Sequence, residues 1–241
     1  MTRDRRRAAL FIFLLLTSIV VCASLWLRAE RHQYALDRQL IAALVRSDDQ
    51  QALVLVKSGA DPNTPCHPVS PPSLRQLWNH LLSHSPLPTT GSPTALSIAC
   101  GAWYEDNNIY RWSVISDAPL LIEAMLRHGA DPNAKDQDGW TPLSWAIREN
   151  DQKTVSVLLD YGADVTRDAS PLTTAVSTSH VEPFMLLLLI KHGADVNTRD
   201  SNGDTPLILA LASDVPLATI RLLLEHGANP TLIGVNGRTS L

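Results

Sequence analysis

Apolar residues recur along this chain in short blocks with helical spacing, and each block is closed by a glycine. LVLVKSGAD, AMLRHGAD, VLLDYGAD, LLIKHGAD and LLLEHGAN all end on Gly-Ala-Asp or Gly-Ala-Asn, at Gly59, Gly129, Gly162, Gly193 and Gly227. The last three intervals between these glycines are nearly equal, at 33, 31 and 34, whereas the first is 70. A second landmark follows each block: Thr94-Ala95-Leu96, Thr141-Pro142-Leu143, Ser170-Pro171-Leu172, Thr205-Pro206-Leu207 and Thr239-Ser240-Leu241. An alanine comes soon after the leucine in four of the five, at Ala99, Ala146, Ala175 and Ala210. Each unit therefore predicts a pair of helices. Thr or Ser supplies an N-cap whose oxygen accepts an orphan backbone N–H. Proline then fits the first helical position, where its missing N–H costs nothing. The second helix carries paired leucines and stops at glycine, which takes the left-handed conformation of a C-terminal cap. Asp-x-Asn next opens a turn in which short side chains bond to the backbone. One such pair cannot bury its apolar stripe alone, so the units must stack.

Three departures modify this picture. Gly59 to Thr94 is a step of 35 where the full-length copies step 12, and Thr94 to Gly129 is again 35 where the others step 21 to 23. One repeat thus holds two insertions, near 64–90 and near 101–119. The first is proline-rich, yet it places Leu74, Leu77, Trp78, Leu81 and Leu82 at helical spacing behind Ser73, a candidate cap. The second concentrates Trp103, Tyr104, Tyr110 and Trp112. The copy at 168–193 lacks the Asp-x-x-Gly lead-in that precedes Thr141 and Thr205, which predicts a shortened turn. The copy from 234 is incomplete at Leu241, and reads as a truncated repeat or as a poor terminal cap.

The unit closely resembles the ankyrin repeat, with a period of about 33 residues and a Thr-Pro-Leu-His-x-Ala signature. The best copies run from Asp136-Gln-Asp-Gly-Trp-Thr-Pro-Leu to Tyr161-Gly-Ala-Asp, and from Ser201-Asn-Gly-Asp-Thr-Pro-Leu to His226-Gly-Ala-Asn. The resemblance covers roughly residues 31–241 and implies an all-α solenoid of about five repeats with β-turn or hairpin connections. It also implies a non-catalytic module that binds a protein partner. An antagonist that masks a target, such as an immunity or host-directed protein, would have the same fold and is the alternative.

Ahead of the repeats, Ala8 to Leu27 (AALFIFLLLTSIVVCASLWL) carries no charge. It is about twenty residues long, enough to cross a bilayer as one helix. Arginines bracket it, and Trp26 sits where interfacial aromatics are favoured. An uncleaved signal anchor is the preferred reading, because the apolar run continues through Leu25-Trp26-Leu27; a signal peptide cut near Val21-Cys22-Ala23 is the alternative. Bulky Val20 and Val21 ahead of Cys22 argue against a lipoprotein. The expected organisation is a basic flank at 1–7, a transmembrane segment at 8–27, a juxtamembrane stretch at 28–36 and the repeat domain at 37–241. Arg3, Arg5, Arg6 and Arg7 bias the N-terminus to the cytoplasm and the repeats outside it, periplasmic in a bacterium.

Charge and chemistry refine the function. Five of the 20 basic residues and one of the 24 acidic ones lie in 1–28, leaving a formal −8 on 29–241. An acidic body without a basic stripe argues against nucleic acid, whose phosphates need clustered Lys and Arg. Asp136-x-Asp138-Gly139 echoes a calcium loop, but that alignment puts Ala134 at the first ligand position and Trp145 where a bidentate Glu belongs. His128 recurs as His192 and His226, and Asp131 as Asp61, Asp164 and Asp195. Residues that repeat with the fold are explained by the fold, so no catalytic, cofactor or metal residue is assigned. His67, His80 and His84 beside Cys66 match no standard metal spacing, and remain the only footing for an enzyme reading. Cys66 and Cys100 could pair, but Cys100 falls on the inward side of a first helix and reads as a buried thiol.

Aromatics carry what is left. Trp145 replaces a core leucine of the repeat and is expected inside. Trp140, at the turn tip before Thr141, resembles a partner-contacting position, with Asp204 and Arg238 as its equivalents. Trp103, Tyr104, Tyr110, Trp112 and Trp78 complete the candidate surface, since Trp and Tyr outside a core are common interface anchors. The insertion aromatics could equally cover the second repeat.

Overall fold

The computed structural model describes residues 3–65, 93–101, 118–136, 138–167, 170–178, 182–213, 215–232 and 234. The side chains of residues 3–16, 19, 20, 23 and 118 lie outside that description as well. Ten α-helices are described: α1 (Arg3–Val45), α2 (Asp49–Lys57), α3 (Ala95–Ala99), α4 (Ala118–Arg127), α5 (Pro142–Arg148), α6 (Gln152–Asp160), α7 (Pro171–Val176), α8 (Pro183–Lys191), α9 (Pro206–Ala212) and α10 (Leu217–Glu225), with a short 3-10 turn at Val165–Arg167. Among the described residues there is no β-strand, only one antiparallel bridge between Pro65 and Thr94.

The helices form two layers. The end of α1 packs on α3, α3 on α5, α5 on α7 and α7 on α9, making an inner layer. Beside it, α2 packs on α4, α4 on α6, and α8 on α10. One core runs between the layers, with Leu40, Leu44, Leu96, Ile122, Met125, Leu143, Ile147, Leu158, Leu172 and Met185 fully buried. The sequence signals at the helix ends act as expected at most positions. Thr94, Thr141 and Thr205 each accept a backbone N–H from the residue three further on, and Thr141 with Ser144 closes a reciprocal capping box. Gly129 and Gly227 end their helices at φ of 88° and 90°, a region costly for any side chain.

Stacking is stitched by asparagine. The Asn63 side chain donates from Nδ2 to the Gly129 carbonyl and accepts the Asp131 amide at Oδ1, at 2.9 and 2.7 Å. Asn133 does the same to Gly162 and Asp164, and Asn197 to Gly227 and Asn229. Each bridge satisfies two backbone groups that a helix terminus leaves orphaned. The first turn has no preceding repeat, and α1 takes over. Gln33 Nε2 donates to the Gly59 carbonyl, and Asp37 Oδ1 accepts the Asp61 amide at 2.8 Å. Two helical side chains four residues apart thus do what one asparagine does elsewhere, so α1 joins the solenoid from Gln33, within the 28–36 stretch read as juxtamembrane.

Asp37 has a cost in that role. Burial is the largest influence on its carboxyl and pushes it above the usual carboxylate range, against the Asp61 amide that favours the charged form. With the folded value raised, the group's stabilising contribution is complete below the unfolded value and is lost as pH rises through the folded one. Asp37→Asn keeps the acceptor and deletes the charge. Its stability in denaturant titration is therefore expected to gain on the wild type as pH rises above the ordinary aspartate range of about 4.

No helix among the described residues is long and apolar enough to cross a membrane. The anchor expected over 8–27 lies within α1, where most side chains of its first half are outside the description.

Candidate protein-binding surface

The turn between α4 and α5 is built around Asp136. Its Oδ1 accepts the backbone amides of Asp138 and Trp140, and its Oδ2 accepts the Trp145 indole N–H at 3.1 Å. The Asp136 amide donates back to the Trp140 carbonyl at 2.9 Å. The tip is thereby closed on itself and pinned to α5. Asp200 builds the equivalent tip before α9, accepting the amides of Asn202 and Asp204. Asp136 thus serves the scaffold of this turn.

Trp145 is 6% exposed and lies in the core, as expected from its repeat position. Trp140 lies half-buried against it, with ring centroids 5.1 Å apart and planes tilted by 34°. The Arg148 guanidinium stands 5.8 Å from the Trp140 centroid and 5.4 Å from that of Trp145. Both separations are within cation–π range. Trp140 is therefore supported from beneath rather than projecting alone. Arg148, one helical turn beyond Trp145 and the one exposed residue of α5, joins Trp140 at the surface; reading the tip by itself misses this neighbour. The i, i+3 spacing of Trp145 and Arg148 on one short helix was the available signal.

The other candidates divide. Asp204 is 4% exposed, so it contributes to the wall of its own turn rather than to an outward surface, and one carboxylate oxygen has no hydrogen-bond partner among the described residues. Arg238, Trp103, Tyr104, Tyr110, Trp112 and Trp78 lie outside the described residues. The recurring polar residues serve the scaffold: Asp131, Asp164 and Asp195 accept amides two residues on, and the His128 and His226 rings meet carbonyls of their own helix ends. Cys100 is a buried thiol, and Cys66 is outside the description. Among the described residues no group of His, Cys, Asp or Glu could hold a metal ion; His67, His80 and His84 fall outside them.

Helix pairs stacked in register, joined by tight turns with an aromatic tip, define an α-solenoid of the kind that serves as a protein-interaction module. The family model for ankyrin repeats (3 copies) matches residues 76–169, 113–200 and 167–234, and the chain belongs to the ankyrin-repeat family. It is 34% identical over 116 residues to an ankyrin repeat protein of Rickettsia bellii, covering 47% of this chain and 44% of the relative. It is 38% identical over 128 residues to human ankyrin repeat and SOCS box protein 6, covering 48% of this chain and 30% of that one. Against the crystal structure of the ankyrin repeat domain of Bcl-3, a member of the IkappaB family, it superposes with a TM-score of 0.51 at 26% identity. That match covers 85% of this chain and 92% of the other. The chain spans less than half the length of those two curated relatives.

Proposed function

We propose that the chain is a membrane-tethered, non-catalytic binding protein that grips a protein partner with the α4–α5 tip and the exposed Arg148 that ends α5. The observation that carries this is the Trp140–Trp145–Arg148 stack. Trp and Arg are the residue types that concentrate binding energy at interfaces, above all where a packed base holds them in place. Here Trp145 supplies the base, Asp136 fixes the backbone under Trp140, and Arg148 is oriented by the rings. Holding these groups in advance reduces the ordering cost of association. The recurrent His and Asp residues favour a scaffold over an active site, since their polar atoms serve turns and helix ends.

The tether is the uncharged stretch 8–27, continuous in helix with the first repeat through α1. The flanking arginines favour a cytoplasmic N-terminus with the repeats on the far side. Fusions after Leu241 to a reporter active only outside the cytoplasm, and to one active only inside it, test the topology. Activity of the first alone is expected, and activity of the second alone overturns the orientation. Extraction of the full chain from membranes by alkaline carbonate would overturn the tether itself.

A further inference from the structure

Between the described repeats, the bridges that stitch the solenoid are interrupted at one turn; Thr231 shares the pattern at the last described turn, with 235–241 outside the described residues. The turn after α6 has Thr166 where Asn63, Asn133 and Asn197 stand, and its hydroxyl and amide both go to the neighbouring Asp164 carboxylate, at 2.6 and 2.9 Å. Among the described residues no side chain reaches from it to the Gly193 carbonyl or the Asp195 amide. The outer layer is interrupted at the same seam. α2, α4 and α6 pack in series and α8 packs on α10, but α6 and α8 touch at most marginally. A third feature coincides. Ser170, which opens α7, is the one Thr or Ser in this landmark position among the described residues whose side chain makes no cap bond, and its buried hydroxyl has no partner there. Among the described residues, the main helix packing across the seam is that of α5 on α7, with one exposed side-chain bond from Gln152 Nε2 to Glu182 at 2.8 Å.

From these coincident gaps we infer that the junction between α6 and α7 is a hinge. It divides the solenoid into a block from Gln33 to Arg167 and a block from Ser170 to Leu232. Repeats are held only by their neighbours, so the junction with the fewest bonds sets where the array opens. The α5–α7 contact stays closed and acts as the axis, while the outer helices α6 and α8 separate. The block carrying Trp140 and Arg148 can then change its angle to the repeats beyond it, and those repeats, no longer held by α6, open as one cooperative unit. This goes beyond the binding reading and does not depend on it.

Amide hydrogen exchange on the full-length chain tests the hinge with two single substitutions. In the wild type, peptides within 182–232 are expected to exchange together and about tenfold or more faster than those within 121–163. Thr166→Asn restores the missing bridge and is expected to slow 182–232 by about five- to tenfold, the equivalent of one added hydrogen-bonded junction. Asn133→Thr copies the gap one repeat earlier, and should move the boundary so that 142–167 joins the faster-exchanging part. Equal protection on both sides of 167 in the wild type overturns the proposal. So does a folded Thr166→Asn chain with unchanged exchange, and so does a boundary that stays at 167 in Asn133→Thr, which decides the matter if Thr166→Asn loses protection throughout.

Discussion

Trp145→Ala is expected to destabilise the repeats around α5 by about 3–5 kcal/mol, the range for emptying a buried tryptophan site. The side chain is 6% exposed, supports Trp140 and donates its indole N–H to Asp136. Its loss leaves a cavity between two repeats, and because each repeat leans on its neighbours the damage spreads to both sides of α5. Trp145→Phe separates the two contributions. It keeps the greater part of the ring surface and deletes the N–H, so it should cost only about 1–2 kcal/mol. A urea titration of both variants reads the difference. Similar midpoints for the two would mean that the hydrogen bond, and not the packing, dominates.

Asp136→Ala is the second largest expected effect, at about 3 kcal/mol. One carboxylate accepts three N–H groups, two from the turn backbone and one from the indole. Hydrogen bonds to a charged acceptor contribute about 1.5–3 kcal/mol each, and a buried donor left unpaired costs more than an exposed one. Solvent reaching the loosened tip recovers part of that sum. Asp136→Asn leaves Oδ1 to accept the turn amides but turns an NH2 toward the Trp145 N–H. One lost hydrogen bond of that kind is expected to cost about 1–2 kcal/mol. The diagnostic is local. Exchange of the Asp138 and Trp140 amides should accelerate strongly in Asp136→Ala and weakly in Asp136→Asn, whereas the Asp200 tip should be unaffected in either.

Much of the scaffold was legible because it repeats. Thr94, Thr141 and Thr205 announced their caps, Gly129 and Gly227 their helix ends, and Asp131 its turn, since each rests on a local backbone rule within four residues. What was not legible joins residues far apart in sequence or lacks a motif. Gln33 and Asp37 occupy the place of an asparagine bridge from the side of a helix, and nothing in a turn pattern points there. The Asp136–Trp145 bond exists only once the tip has folded back on α5. Trp140 was singled out as the odd residue among its equivalents, but its neighbour Arg148 was not. Asp204 shows the limit of matching by register. It shares the position of Trp140, yet a short side chain at that point folds into the turn wall where a tryptophan spreads over it. Thr166 stands out only once the bridges at Asn63, Asn133 and Asn197 can be compared with it.

The central claim is that the Trp140 face, and not the outer layer, meets the partner. A photo-crosslinking phenylalanine placed at 140 in the full-length chain, with a second chain carrying it at the exposed Lys153 of α6, tests that claim in cells. The account predicts a discrete protein adduct from position 140 that is lost when Arg148→Ala is added, and no such adduct from position 153. Equal adducts from both positions, or none from 140, would contradict it.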